Sequence, residues 1–158
     1  MCRSVAIFLI LGLAGGCTVS DEELRSRDSD QDRAAIEGLA NQLAESISRL
    51  DAEGAAEGVR RDSSVVYVSN GSVILGVDYV HRLESYYSTQ DSLEFNWTRT
   101  EISFPTPTTA VLIGWASIRE KPKGGTWESD PAIFTIIYRV NDEGRWEYFV
   151  AHKTSTQG

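Results

Sequence analysis

The chain has 158 residues, and its 23 Asp and Glu outnumber 15 Lys and Arg, for a formal net charge of −8. That length allows one domain of ordinary size with flanking segments. The acidic balance excludes a basic nucleic-acid footprint and electrostatic docking on anionic lipid.

Arg3 precedes a short apolar run over residues 5–14, well under the roughly 20 residues of a membrane span. Gly15 and Gly16 then lead into Cys17. A positive start, a short apolar stretch and small residues before a cut fit an export signal. Of the two cysteines, Cys2 would leave with the signal and Cys17 would be consumed by acylation. The remaining domain would hold no disulfide, thiolate metal site or cysteine nucleophile. Residues 18–28 (TVSDEELRSRD) are charged and poor in apolar side chains, which predicts a solvated tether.

Ser29 and Asp32 have the spacing of a capping box, with Asp in place of the usual Glu. Ile36, Leu39, Ala40, Leu43, Ile47 and Leu50 recur at three- and four-residue steps and predict a long amphipathic helix. Asp51 is placed to cap a second, short helix through Ala52, Ala55, Ala56 and Val59, closed by Arg60, Arg61 and Asp62. The run VVYV at residues 65–68 predicts a strand, Asn70-Gly71 a hairpin turn, and residues 72–75 the partner strand. Gly76 breaks the pattern, and Val77, Val80, Leu83 and Tyr87 predict a third helix ending before Asp91. From Leu93 the chain is all β, with strands over 93–104, 110–119, 132–140 and 146–153 separated by Pro105 and Pro107, an exposed loop at 121–125 and a turn at 141–144. Helices followed by antiparallel strands define an α+β layer. The expected architecture is a cone-shaped curved antiparallel sheet, four long strands plus a short hairpin, covered by three N-terminal helices. Such a cone leaves an apolar cavity of the kind ligand sites prefer.

The long first helix, the Asp51-capped second helix, DSSVVY at residues 62–67, Asn70-Gly71, Gly76 and RVNDEGRW at 139–146 together resemble the nuclear-transport-factor-two-like superfamily, in particular its SnoaL-like and ketosteroid-isomerase-like bacterial members. The resemblance implies a central pocket and a homodimer. The leader resembles a bacterial lipoprotein signal peptide. The implied organisation is a signal at residues 1–16, a lipidated Cys17 and tether at 17–28, a SnoaL-like domain at 29–155 and a tail at 156–158. The implied location is the bacterial cell envelope, anchored by lipid. Thr18 after the Cys favours the outer membrane, facing the periplasm, over the inner.

Ketosteroid isomerases use a tyrosine and two aspartates, and by resemblance these positions fall near Leu43, Tyr67 and Ile136. Neither Val66 nor Val68 supplies a carboxylate if the register slips, so isomerase chemistry is not expected. His152 is the first catalytic candidate, because a histidine can act as acid or base near neutral pH. SnoaL-like domains carry a His on the last strand, which would share a face with Trp146, Tyr148 and Val150. The isomerase register instead turns Phe149, Ala151 and Lys153 to the pocket. Tyr67, as a hydroxyl donor, and Asp130, as a carboxylate at a strand start, are the next candidates. Trp97, Trp115, Phe134, Tyr138 and Phe149 join Tyr67 and His152 as expected pocket residues, able to stack on a planar or apolar ligand. His81 reads as a surface histidine. Metal-ligand spacing, a phosphate loop and a nucleophile elbow are all missing, so no metal or cofactor is expected.

Three functions follow from this reading. The first is a lipid-anchored domain that binds a small apolar or aromatic molecule without isomerase catalysis. The second is a hydrolase, dehydratase or isomerase using His152 with Tyr67 or Asp130. The third is a homodimeric or envelope-protein interaction module.

Overall fold

The structure, a computed structural model, describes residues 29–69 and 71–156. The signal, Cys17, the tether, Asn70 and the end of the tail lie outside the described residues. Among the described residues three helices, α1 (Ser29–Ser48), α2 (Ala52–Ala55) and α3 (Tyr79–Tyr87), accompany strands β1 (Val66–Ser69), β2 (Ser72–Leu75), β3 (Gln90–Thr106), β4 (Thr109–Pro122), β5 (Glu128–Ser129), β6 (Ala132–Val140) and β7 (Trp146–Ser155). A 3₁₀ turn, Gly76–Asp78, leads into α3. The strands form one curved sheet in the order β2-β1-β7-β6-β4-β3, with β5 pairing β4 beside this path.

The α+β class and the helix-covered sheet are as expected. One pairing departs from a purely antiparallel sheet: β1 runs parallel to β7, in the register Tyr67 to Ala151 and Ser69 to Lys153. The β1–β2 hairpin is thereby added to the far edge by a long connection from the helices, not by a turn from its neighbour. β5, a two-residue strand, is too short to leave an alternation signal.

The apolar stripe of α1 buries Ile36, Ala40, Leu43 and Ala44 against Phe95, Leu112, Phe134, Ile136 and Tyr138 on the inner face of the sheet. Burial of each large apolar side chain stabilises the fold by about 1.5–3 kcal/mol. Asp51 caps α2, its Oδ1 accepting the Gly54 N–H at 2.9 Å, a contact of about 1 kcal/mol. α2 is shorter than its pattern suggests. Gly58, at φ 80°, turns the chain, and Val59 forms a parallel bridge with Tyr148 instead of continuing the helix. The Tyr148 N–H donates to the Gly58 carbonyl at 2.7 Å.

Two irregularities set which side chains face inward. Between β3 and β4 the register shifts between Trp97 and Arg99. Trp97 folds over Gly114, where an added Cβ would lie 2.4 Å from the indole ring. In β7 the register runs Tyr138 to Tyr148 and then Ile137 to Val150, leaving Phe149 as an extra residue. Such a bulge changes the parity of everything beyond it. Trp146 and Tyr148 therefore face inward before it, and Ala151 and Lys153 face inward after it. Among the described residues no helix is long and apolar enough to cross a membrane.

Candidate functional site

A cavity of about 390 Å³ lies between the helices and one end of the sheet. Leu43 and Ile47 of α1, Ala55 of α2 and Leu83 of α3 form its helical wall. Phe95, Phe134, Ile136 and Ala151 form its sheet wall. The polar lining residues Ser69, Glu120, Asp130 and Lys153 gather where β1, β4 and β7 end and β6 is about to begin. Exposed Arg82 and Tyr86 of α3 join them from the helical side.

Lys153 is brought inward by its neighbours, since it pairs with Phe134 across β6 and with Ser69 across β1. Its ammonium donates to Asp130 Oδ2 at 2.5 Å, with the two side chains only 14% and 25% exposed. The Asp130 backbone is held by its N–H to the Ile118 carbonyl at 2.8 Å. The cavity's buried cation and its nearest carboxylate thus neutralise one another.

Four tyrosines complete the lining. Tyr67 meets Tyr79 edge-on, with ring centroids 5.4 Å apart. Burial pushes the Tyr67 phenol up to about 12; the Ser69 hydroxyl opposes the rise and the negative charge of Asp130 adds to it. Burial likewise holds Tyr79, Tyr87 and Tyr148 above the usual phenol range. These groups are neutral hydrogen-bond donors and not bases. The Tyr148 hydroxyl is spent on the Leu39 carbonyl at 3.0 Å. Tyr87 is 6% exposed, and its hydroxyl has no hydrogen-bond partner among the described residues.

Of the residues singled out in the sequence, Tyr67, Asp130 and Phe134 line the cavity. His152 does not join them. The extra residue Phe149 turns it to the outer face, where it is exposed, pairs in register with Thr135 and lies 3.5 Å from Thr154 Oγ1. This corrects the expected grouping of His152 with Tyr67 or Asp130. Phe149 is also on the outer side, with the Arg139 guanidinium 3.7 Å from its ring centre. Trp115 lies under Arg99 at 4.7 Å. Trp97 is in the core beside Phe95 and Phe134, its indole N–H bonded to the Ala40 carbonyl at 2.9 Å. Tyr138 is fully buried, 4.8 Å from Tyr148. Neither Trp97 nor Tyr138 is among the lining residues. His81 is exposed, near Glu84 at 4.0 Å. Among the described residues no three His, Cys, Asp or Glu side chains group to hold a metal ion.

Sequence reading missed Tyr79 and Tyr87 as lining residues. Their spacing of eight places them with Leu83 on one helical face, but the stripe read from the sequence, Val77, Val80, Leu83 and Tyr87, served only to mark the helix and did not include Tyr79.

No family model and no curated protein matches this chain. Solved structures match its fold. A nuclear-transport-factor-two-like superfamily protein from Salmonella enterica has a TM-score of 0.73 at 9% identity, over 83% of this chain and 95% of that one. A hexachlorocyclohexane dehydrochlorinase from Novosphingobium barchaimii has a TM-score of 0.68 at 15% identity, over 80% of this chain and 88% of that one. A dehydratase candidate of the same superfamily from Streptomyces avermitilis has a TM-score of 0.69 at 18% identity, over 83% of this chain and all of that one. The chain has the nuclear-transport-factor-two-like fold. That fold carries several chemistries, so the site, not the fold, must argue function.

Proposed function

We propose that this protein binds a small, mostly apolar molecule in the cavity between its helices and sheet. The observation that carries this reading is the cavity itself: about 390 Å³, walled by aliphatic and aromatic side chains, with its polar groups at one end. That size and composition suit a pocket for one small organic molecule. The neutral dye prodan tests the reading. Its fluorescence should shift to the blue and saturate at one dye per chain. Ala151→Trp, which fills the sheet wall, should abolish the shift; a shift that survives this change would place the dye elsewhere.

A catalytic role would need a base in the cavity. The tyrosines are held protonated and Asp130 is engaged by Lys153, which leaves Glu120 as the lining carboxylate to test as a base. A second reading, homodimerisation, draws support from the outer sheet face. Trp115, Ile133, Ile137 and Phe149 are only half-buried there, and Ile113 is 36% exposed. Sedimentation of wild type and Trp115→Glu would separate a dimer from a monomer. Export and lipid anchoring at Cys17 complete the proposal. Mass spectrometry of the membrane fraction should find an acylated chain starting at Cys17, and Cys17→Ser should remove it from the membrane.

A further inference from the structure

We infer that the tyrosine-lined end of the cavity receives an organic cation, a quaternary ammonium group on an apolar body, with Glu120 as its counter-ion. The inference rests on the binding function proposed above and gives its ligand a charge.

Two observations carry it. The first is the tyrosine wall. Tyr67, Tyr79, Tyr86 and Tyr87 are all lining residues. They meet in inclined pairs, Tyr67 with Tyr79 at 5.4 Å and 61° and Tyr86 with Tyr87 at 5.7 Å and 50°. Neither pair is stacked flat, so ring faces are left for a third group. A cation within about 6 Å of a ring centre is attracted by the negative face of that ring. A quaternary ammonium has no N–H, so it can lie against rings without leaving a donor unpaired.

The second observation is a carboxylate whose charge is not matched. Glu120 is a half-buried lining residue of β4 with no ion pair among the described residues. In register it faces Leu93 on β3 and Glu128 on β5, so its strand neighbours bring no cation to it. The Tyr86 hydroxyl donates to it, which leaves its charge in place. Of the lining cations, Lys153 is closed onto Asp130 at 2.5 Å. Arg82 has no ion pair among the described residues either, but it is exposed on α3, where water weakens its field. Burial comes first in raising the phenols of Tyr67, Tyr86 and Tyr87, and the carboxylates that add to it are Asp130, Glu120 and Asp51. Positive charge is therefore favoured beside these rings.

Three probes of nearly equal shape make the test: phenyltrimethylammonium, its neutral isostere tert-butylbenzene, and the anion α,α-dimethylphenylacetate, titrated by calorimetry into the full chain at neutral pH. The cation should bind roughly threefold to tenfold more tightly than the hydrocarbon. It should bind at least about tenfold more tightly than the anion. Glu120→Gln should narrow the advantage of the cation over the hydrocarbon by roughly threefold to fivefold. Tyr86→Leu should narrow it by roughly threefold, and Tyr86→Phe, which keeps the ring, should restore it. Binding of the anion as tight as that of the cation would overturn the inference and give the choice of charge to Arg82. A cation advantage untouched by Glu120→Gln, or lost equally in Tyr86→Leu and Tyr86→Phe, would overturn it too. If prodan binds and the cation does not exceed the hydrocarbon, the pocket stands and this inference falls. If neither prodan nor any of the three binds, the binding function falls and this inference with it.

Discussion

The two ends of the same sheet are built to opposite rules. At the closed end, Trp146, Tyr148 and Tyr138 fill the space under α1; the polar atoms of Trp146 and Tyr148 are tied to it, while the buried Tyr138 hydroxyl has no hydrogen-bond partner among the described residues. The Trp146 indole N–H donates to Asp32 Oδ1 at 2.8 Å and the Tyr148 hydroxyl to Leu39. At the open end, the lining positions of β1 and β7 include Tyr67, Ser69, Ala151 and Lys153, and a cavity of about 390 Å³ remains unfilled beside them. The aromatic residues of α3 reach over that gap, and one of them keeps an unsatisfied hydroxyl. Filled space gives stability, whereas unfilled space is what a ligand can use.

Changes at the two ends should therefore separate stability from binding. The largest effect is expected at the closed end. Trp146→Ala empties an 8%-exposed site and orphans the Asp32 carboxylate from its indole partner, and should cost about 3–5 kcal/mol in urea unfolding. A loss below about 1 kcal/mol would mean that this end is not a packed anchor.

Alkali should act next, through the phenols. The unfolded chain ionises Tyr67 near its ordinary value of 10, while the folded protein holds the proton to about 12. The contribution is complete below pH 10 and is lost as pH rises towards 12. Tyr67 alone accounts for about 2–3 kcal/mol over that window. Tyr79, Tyr87, Tyr138 and Tyr148 are shifted in the same direction, so the wild type should weaken more steeply than one residue implies. Urea midpoints followed from neutral pH into alkali should fall above pH 10, and Tyr67→Phe should fall less. A flat profile would contradict the burial of these hydroxyls.

The smallest effect is expected at His152. Exposed on the outer face with a 3.5 Å contact to Thr154, it should tolerate Ala within about 0.5 kcal/mol, with prodan binding unchanged. A loss of dye binding in His152→Ala would return this residue to the pocket.

Much of the fold is legible in the sequence because strong periodic signals coincide with real burial. The stripe from Ile36 to Ile47 is the buried face of α1, the Asp51 cap is present as drawn, and the 132–140 and 72–75 strands keep their limits. The site is legible only in part, and Phe149 is the reason. Alternation along β7 assumes a constant period of two, and one unpaired residue reverses the faces beyond it. Both registers considered for β7 are therefore correct, each for its own half of the strand. Trp146 and Tyr148 face in by one, Ala151 and Lys153 by the other, and His152 faces out. The Lys153–Asp130 pair joins residues 23 positions apart, and no local pattern announces such a contact.

The measurement that bears most directly on the cavity as a binding site is a prodan titration of the wild type beside Ala151→Trp, with unfolding curves of both. Saturable binding at one dye per chain in the wild type, absent from a folded Ala151→Trp protein, is the expected result. No saturable binding in the wild type, or equal binding in a folded Ala151→Trp protein, would contradict it.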